Sequence, residues 1–478
     1  MRTRLLAPEN RKWLTLASVS FGLFMIMLDN TIVNVALPSI QHDLGISISE
    51  LEWVVNGYAL TFAVLMLTGG KLADMLGRRL IFVVGLAVFT ASSLACGLAG
   101  DANMLIGARV VQGAGAAFMN PATLSIITAT FPPRQRGTAI GIWAGVSAMA
   151  LAIGPLIGGV ITEQISWNWI FFINVPVGVL AIFVARVVIA ESRDTSHEQR
   201  LDLPGLLSSA VALFALTYGL IEANSYGWTS ARILTLFAIA AIGLAVFILL
   251  ELRQRLPMLD LSLFRNTTFA GANATMMLIA LAMFGVFFFV SLYVQNVLGY
   301  SATQAGATFL PMTLLIILVA PLAGRVSDKI GSRWLMGGGM TLVGISLLVF
   351  SRLDLTSNFW NIFPGLIVGG LGMGLAMTPT TAAAMGSVPV DKAGVGSAVL
   401  NSMRQVGGSL GIALMGAIVA SYVHVPPTDS RATAQFVTGF KHALEVAAAI
   451  AFAAAVIAVL TVRRYRHGEA GELAEVGA

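Results

Sequence analysis

The sequence predicts an all-α membrane protein of fourteen transmembrane helices, in two six-helix halves with an inserted helix pair between them. Three observations lead there. Of 478 residues, 57% are hydrophobic and 11% charged, against roughly 25% charge in soluble domains, and mean hydropathy is +0.85. The apolar residues form continuous runs of the roughly 17–25 residues that cross a bilayer as helix, not alternating strands of about ten residues. Parts of the chain also repeat. This composition excludes a soluble enzyme, a disordered chain and a nucleic-acid module. Cys96 is the single cysteine, so no intrachain disulfide can form, and the five histidines make no Cys/His zinc cluster.

In chain order the expected spans are 13–36, 50–70, 80–99, 103–129, 137–161, 170–190, 205–222, 231–250, 269–295, 303–323, 334–351, 359–385, 394–422 and 441–462. The first follows Arg2, Arg4, Arg11 and Lys12, as a signal peptide would. It lacks a small-residue cleavage site and Asp29 interrupts its far end, so it counts as a span. Basic residues test the count. With both termini cytoplasmic, four of the 28 fall outside (Arg232, Arg352, Arg431, Lys441), Arg109 and Arg404 lie within spans, and the other 22 lie inside. A wrong count would scramble that asymmetry, because every later loop would change sides. Seven of the eight tryptophans fall near span ends, where amphipathic rings prefer the interface; Trp143 is internal. The expected location is therefore the cytoplasmic (inner) membrane.

Two hairpin loops carry nearly the same text. Gly70-Lys-Leu-Ala-Asp74-Met-Leu-Gly77-Arg78-Arg79 returns as Gly324-Arg-Val-Ser-Asp328-Lys-Ile-Gly331-Ser332-Arg333. Asn120-Pro121-Ala-Thr123 in span four is echoed by Thr378-Pro379-Thr-Thr381 in span twelve. The repeats relate spans one to six to spans nine to fourteen. They divide the chain into a bundle over 1–190, an inserted pair with its flanking loops over 191–268, a second bundle over 269–462 and a cytoplasmic tail over 463–478. Two halves around a central pathway is a transporter layout, with the ligand site near the midplane.

The same loops carry a family resemblance. Gly70 to Arg79 resembles the signature between the second and third helices of the major facilitator superfamily. Leu105 to Ala117, with Arg109, Gln112, Gly113 and Gly115, resembles its fourth-helix motif. Gly145 and Gly154-Pro155-Leu-Ile-Gly158-Gly159 look like the fifth-helix motif of its antiporters. Leu28-Asp29-Asn-Thr31-Ile-Val-Asn34-Val-Ala-Leu-Pro38 looks like the first-helix signature of the fourteen-helix drug:proton antiporter branch. Trp167 to Gly178 is similar to the motif before that branch's sixth helix, although Asn168 stands where arginine is more usual. The resemblance covers nearly the whole chain. It implies a major facilitator fold and proton-driven multidrug efflux, with the proton gradient as energy source and no cofactor.

Asp29 is the acidic residue most clearly embedded in an apolar span. A carboxylate there costs roughly 2.5–3.5 kcal/mol on insertion scales, so it should face the bundle interior with a function or a partner. Arg109 enters from the opposite end of an antiparallel span to similar depth, on the order of 10 Å below the outer surface. It is the expected partner in proton coupling, linked to a polar chain through Gln112 and Asn34; a static fold-stabilising pair is the alternative. Gly154, Pro155, Gly158 and Gly159 allow close helix approach, and the resemblance places them between the halves. It also makes the loop with Gly70, Asp74, Gly77, Arg78 and Arg79 a cytoplasmic latch, Asp74 meeting basic residues or a helix N-terminus. Asp328 is its weaker counterpart, and Arg404 in span thirteen is a candidate for the inner gate.

Tyr58, Phe284, Phe287, Tyr293 and Asn401 join Asn34 and Gln112 as expected pathway residues, although Phe284, Phe287, Phe288 and Phe289 point around a whole helix, so most should face lipid or packing neighbours. No acidic residue lies deep in span ten, which favours neutral or monocationic substrates over divalent cations. The leading expectation is a secondary antiporter of amphipathic compounds, with a dedicated exporter of one lipid or metabolite as the alternative. A receptor or scaffold leaves the repeat unexplained. A membrane enzyme lacks a Ser/His/Asp set, and ATP-driven export lacks a Walker loop. Expected partners are protons, small amphipathic molecules and the bilayer; the sequence names no periplasmic adaptor and no nucleic acid.

Overall fold

A computed structural model of the chain describes residues 8–193, 201–254, 257, 259–388, 393–425, 429 and 431–463; some side chains, including that of Asp328 and several in the fifth long helix, fall outside the description. The expected tail lies outside it beyond Arg463. Fourteen long helices succeed one another: α1 (Pro8–Leu44), α2 (Ile48–Leu76), α3 (Arg78–Gly97), α4 (Ala102–Thr130), α5 (Pro133–Gln164), α6 (Asn174–Val188), α7 (Leu203–Tyr226), α8 (Ala231–Arg253), α9 (Thr267–Leu292), α10 (Leu310–Ile330), α11 (Ser332–Phe350), α12 (Phe359–Gly386), α13 (Ala393–Ala420) and α14 (Ala432–Thr461). Thirteen of them are long and apolar enough to cross a membrane. The other, α5, is a helix of 32 residues in the place of the fifth expected span. Among the described residues there is no strand, as a hydrocarbon solvent demands of a chain that is not a closed barrel.

Helix ends follow local chemistry. Ser47 and Glu50 close a capping box at the start of α2, and Asp101 caps α4 through the Met104 amide. The repeated loops each turn on a glycine with positive φ, Gly77 at 128° and Gly331 at 88°, a conformation that a Cβ resists. α9 runs on through a π turn, Tyr293–Val297, and a short helix, Ala302–Thr308, leads into α10.

Small residues bring the helices together. In α4 a Cβ on Gly113 would collide with the Tyr58 carbonyl of α2. One on Gly115 would stand 2.6 Å from the Phe89 nitrogen of α3. Without a hydrophobic drive between helices in lipid, such close approach is what holds a bundle. α9 is the most enclosed span, with 89% of its central window buried. All four phenylalanines Phe284, Phe287, Phe288 and Phe289 are buried, so of the two expected surroundings, lipid or packing neighbours, they meet packing neighbours. α8 is the reverse, 17% buried, and packs on α7, which in turn touches α2 and α13.

The first six helices meet the last six along three seams: α1 with α9, α2 with α13, and α5 with α10 and its leading helix. The repeat makes α2 the counterpart of α10 and α5 that of α13, so the last two seams are equivalent. The start of α1 and the end of α14 lie on one side of the bundle, here the terminal side. The described hydrogen bonds across the seams lie at mid-depth or on the far side: Ser291 Oγ donates to the Asn34 carbonyl (2.9 Å), Gln295 Nε2 to the Val35 carbonyl (3.0 Å), the Thr303 amide to Glu163 (2.9 Å) and Ser409 Oγ to Asn56 Oδ1 (2.6 Å). Ser402 Oγ reaches the Ala63 carbonyl at 3.4 Å, nearer the middle. The described conformation is thus closed on the far side.

Replacing Gly113 with valine should push α2 off α4 and lower stability by about 1–3 kcal/mol, the usual effect of overpacking. Thermal unfolding of the purified protein measures it; an unchanged or higher unfolding temperature would contradict this account of the helix contact.

Candidate functional site

Asp29 on α1 and Arg109 on α4 meet inside the first bundle, each 1% exposed. Arg109 Nη1 lies 2.5 Å from Asp29 Oδ2 and 2.7 Å from Gln112 Oε1, and Nε donates to the Val54 carbonyl of α2 at 3.1 Å. Gln112 stands one turn further along α4, so its Nε2 donates to the other carboxylate oxygen, Asp29 Oδ1, at 3.0 Å. Spacing of three residues puts both groups on one helix face. The guanidinium also lies over the Tyr58 ring at 4.2 Å and near the Phe171 ring at 5.7 Å, a cation–π arrangement that gains from exclusion of water.

The network extends further than the sequence reading reached. Gln112 Nε2 approaches Ser93 Oγ (3.4 Å), which donates to the Phe171 carbonyl (2.9 Å) and accepts from Asn174 Nδ2 (3.0 Å). Cys96 Sγ donates to Gln112 Oε1 at 3.6 Å. Asn174 lies in the quoted motif before the sixth span; Ser93 had no sequence signal beyond being polar in an apolar run. Chemically, the site holds one carboxylate against one guanidinium and one amide.

Asn34 does not join this network. Its Nδ2 donates to the Asn30 carbonyl of its own helix, and its Oδ1 has no hydrogen-bond partner among the described residues. Tyr58 offers its ring to Arg109 while its hydroxyl is likewise unpartnered. Three expected pathway residues pack against neighbours in the described conformation. Tyr293 stacks on Phe440 at 5.1 Å and donates its hydroxyl to the Asp354 carbonyl. Phe287 packs on Phe309 at 4.8 Å, and Phe284 lies on Gly408. An apolar helix buried on all sides has no face that marks a pathway. Asn401 Nδ2 is bound to the Ser397 carbonyl one turn back in α13.

The motif glycines divide between the interior of the first bundle and the seam: Gly154 and Gly158 face α1 within the bundle, which corrects the expectation that they lie between the halves, and Gly159 faces the second half. Gly154 and Gly158 seat Thr31 and Ile32 of α1, Gly159 abuts the Ala302 carbonyl, and the Pro155 carbonyl fills the space beside Gly306. At the loop after α2, Gly70 lies against Pro121 and Asp74 pairs with Arg78 one turn on, at 2.9 Å. The carboxylate at the N-terminus of α3 is Glu191, which accepts from the amides of Arg79 (3.0 Å) and Leu80 (3.2 Å) and leaves no room for a Cβ on Gly77. Of the two expected partners, a basic residue or a helix N-terminus, Asp74 at the end of α2 meets the basic residue, and the helix N-terminus is taken by Glu191 from the chain after α6. Arg79 Nη1 donates to the Ile189 carbonyl (3.3 Å). The side chain of Asp328 lies outside the described residues. Arg404, at the middle of α13, has no carboxylate partner among the described residues and lies within electrostatic reach of Tyr58.

Among the described residues, three buried acidic residues, Glu52, Asp202 and Glu251, escaped the sequence reading, and Glu52 is the one at a seam between the halves. Glu52, in the second turn of α2, is 2% exposed, and its Oε2 has no hydrogen-bond partner among the described residues. Four residues into a helix it reads as an interfacial or capping acid; the capping box is made by Ser47 and Glu50.

Loss of the Arg109 charge would leave Asp29 buried without a cation. Arg109→Gln should therefore lower stability by about 3–5 kcal/mol, and adding Asp29→Asn should recover much of it. A double-mutant cycle of unfolding in detergent measures this; additive losses would show that the two residues do not depend on each other.

Comparison with known proteins agrees with this architecture. The sequence matches the Major Facilitator Superfamily over residues 19–412 and 274–475. It is 38% identical over 415 residues to the tetracenomycin C resistance and export protein of Streptomyces glaucescens, covering 87% of this chain and 77% of that one. It is 36% identical over 464 residues to the puromycin resistance protein of Streptomyces alboniger, covering 95% and 91%. Among solved structures, a bacterial homolog of the human lysosomal transporter Spinster superposes with a TM-score of 0.67 at 18% identity over 95% of this chain and 98% of that one, a likeness of fold. The chain belongs to the major facilitator superfamily.

Proposed function

We propose that the protein is a proton-coupled secondary antiporter that exports hydrophobic or amphipathic small molecules by alternating access. The observation that carries the reading is the enclosed Asp29–Arg109–Gln112 network: a membrane-buried carboxylate held by one cation and one amide. Burial favours the neutral acid and the guanidinium favours the carboxylate, so a rearrangement that changes the distance between them changes proton affinity. That is the requirement for exchanging a proton against a substrate.

The relatives support drug export, since their names describe resistance and export of antibiotics, and a further one is named a multidrug resistance protein, from Mycobacterium tuberculosis. The seams support alternating access: the two equivalent contacts, α2 with α13 and α5 with α10, would part together as one half rocks on the other. On this reading residues 1–190 and 269–462 are the moving halves, 191–268 carries the inserted pair α7 and α8, the terminal side is cytoplasmic and the membrane is the cytoplasmic one. Neutral or monocationic compounds are the proposed substrates. Export of a single compound is the second reading, favoured by relatives named for one antibiotic each. The chemistry needs no enzyme activity and no cofactor.

Inside-out vesicles with an acidic lumen test this. Adding a transported lipophilic compound should release lumenal protons with the wild type, and Asp29→Asn should reduce that release at least tenfold while the protein stays folded. Compound-driven proton movement that survives in Asp29→Asn would remove Asp29 from the coupling path. Compound uptake with no proton movement in the wild type would overturn antiport.

A further inference from the structure

Glu52 lies on the α2 face that meets α13. That face descends in register: Glu52 opposite Gly416, Asn56 bonded to Ser409, and the Ala63 carbonyl accepting from Ser402. At Gly416 a single Cβ would collide with the Glu52 carboxyl, so the seam closes over the acid with no space to spare. The repeat that relates Gly70 to Gly324 relates Glu52 to Gly306, and in the equivalent seam that position needs a glycine, because the Pro155 carbonyl fills the space. One copy of the seam thus holds a glycine where the other holds a carboxyl group.

Among the described residues the surroundings supply no counter-charge. From α7, Glu222 is the titratable group facing Glu52, and Asn224 of the same helix donates to the Ala417 carbonyl. From α4, Arg109 is already engaged by Asp29, Gln112 and the Val54 carbonyl. On α13, Arg404 lies twelve residues toward the terminal side of Gly416, about 18 Å along the helix. On α2 itself, Glu50 is turned into the capping box with Ser47. Among the described residues no cation reaches Glu52 and no donor reaches its buried Oε2, and a carboxylate so enclosed is disfavoured against the neutral acid.

We propose that Glu52 is a second proton-binding residue of the transport cycle, and that the far-side seam between α2 and α13 closes only over its neutral form. With the seam open, the carboxylate takes a proton from far-side water; closure then buries the neutral acid against Gly416, and reopening returns the proton to the same water. The proton at Glu52 is not the one carried across. It makes the return from the far-open state dependent on far-side acidity, beside the exchange at Asp29. The proposal rests on the alternating-access reading.

Its test reads conformation alone, without substrate or gradient, so it stands apart from the vesicle assay. Spin labels on Gly100→Cys and Leu355→Cys, both in far-side loops, report the opening by electron–electron distance measurement in lipid nanodiscs between about pH 5 and pH 9, a window wide enough for a displaced carboxyl group. Cys96 is buried and need not be removed. In the wild type the short-distance population should fall as pH rises. Glu52→Gln should hold the short distance at every pH. Glu222→Gln keeps Glu52 in place but removes a like charge, so its midpoint should move to lower pH; this variant keeps the test intact if Glu52→Gln folds poorly. Asp29→Asn should still titrate. A Glu52→Gln protein that titrates as the wild type does would overturn the proposal, as would a wild type with no pH response or a titration lost only in Asp29→Asn.

Discussion

A carboxylate and a guanidinium inside apolar helices constrain everything around them. Neither Asp29 nor Arg109 can sit alone in hydrocarbon, so α1 and α4 must bring them to the same depth, and α2 must turn the Val54 carbonyl toward Nε. That explains why α4 is glycine-rich where it is. Gly113 and Gly115 let α2 and α3 come close enough to enclose the pair, and Gln112 occupies the remaining carboxylate oxygen. With the lone pairs and donors largely used up, the pair is stable in the described state yet sensitive to any movement of α1 against α4.

The seams give that sensitivity a mechanical partner. α1 carries Asp29 on one face, while its Thr31 and Ile32 pack on Gly154 and Gly158 of α5, and the Asn34 and Val35 carbonyls, a little further along, bind α9. Only the bonds to α9 cross between the halves; on the proposed alternating-access reading, a rotation of one half about them would pull on the helix that bears the carboxylate. The inserted pair plays a lesser part: α8 is mostly turned outward, whereas α7 covers the α2–α13 seam and stacks Phe214 and Tyr218 on Trp53.

Much of this was legible before the fold was seen, for identifiable reasons. Charges inside apolar runs stand out against their surroundings, so Asp29 and Arg109 could be read from sequence. The duplicated loops gave the relation between the first and last six helices. The apolar interior was harder. Phe284, Phe287 and Tyr293 look alike whether a helix faces lipid, a pathway or its neighbours, because no polar face marks α9. Glu52 was hidden by its place near a helix start, where acids usually cap. Glu191 was hidden by sequence distance, since it reaches the N-terminus of α3 from the chain that follows α6.

The account turns on whether the proton affinity of Asp29 depends on what the transporter binds. Proton release from the detergent-solubilised protein on addition of substrate, followed with a pH indicator in weakly buffered solution, tests that most directly. The account predicts about one proton released per molecule in the wild type and none in Asp29→Asn. Substrate that binds both proteins equally well and releases protons from neither would contradict it, and would leave the Asp29–Arg109 pair as a fixed brace of the first bundle.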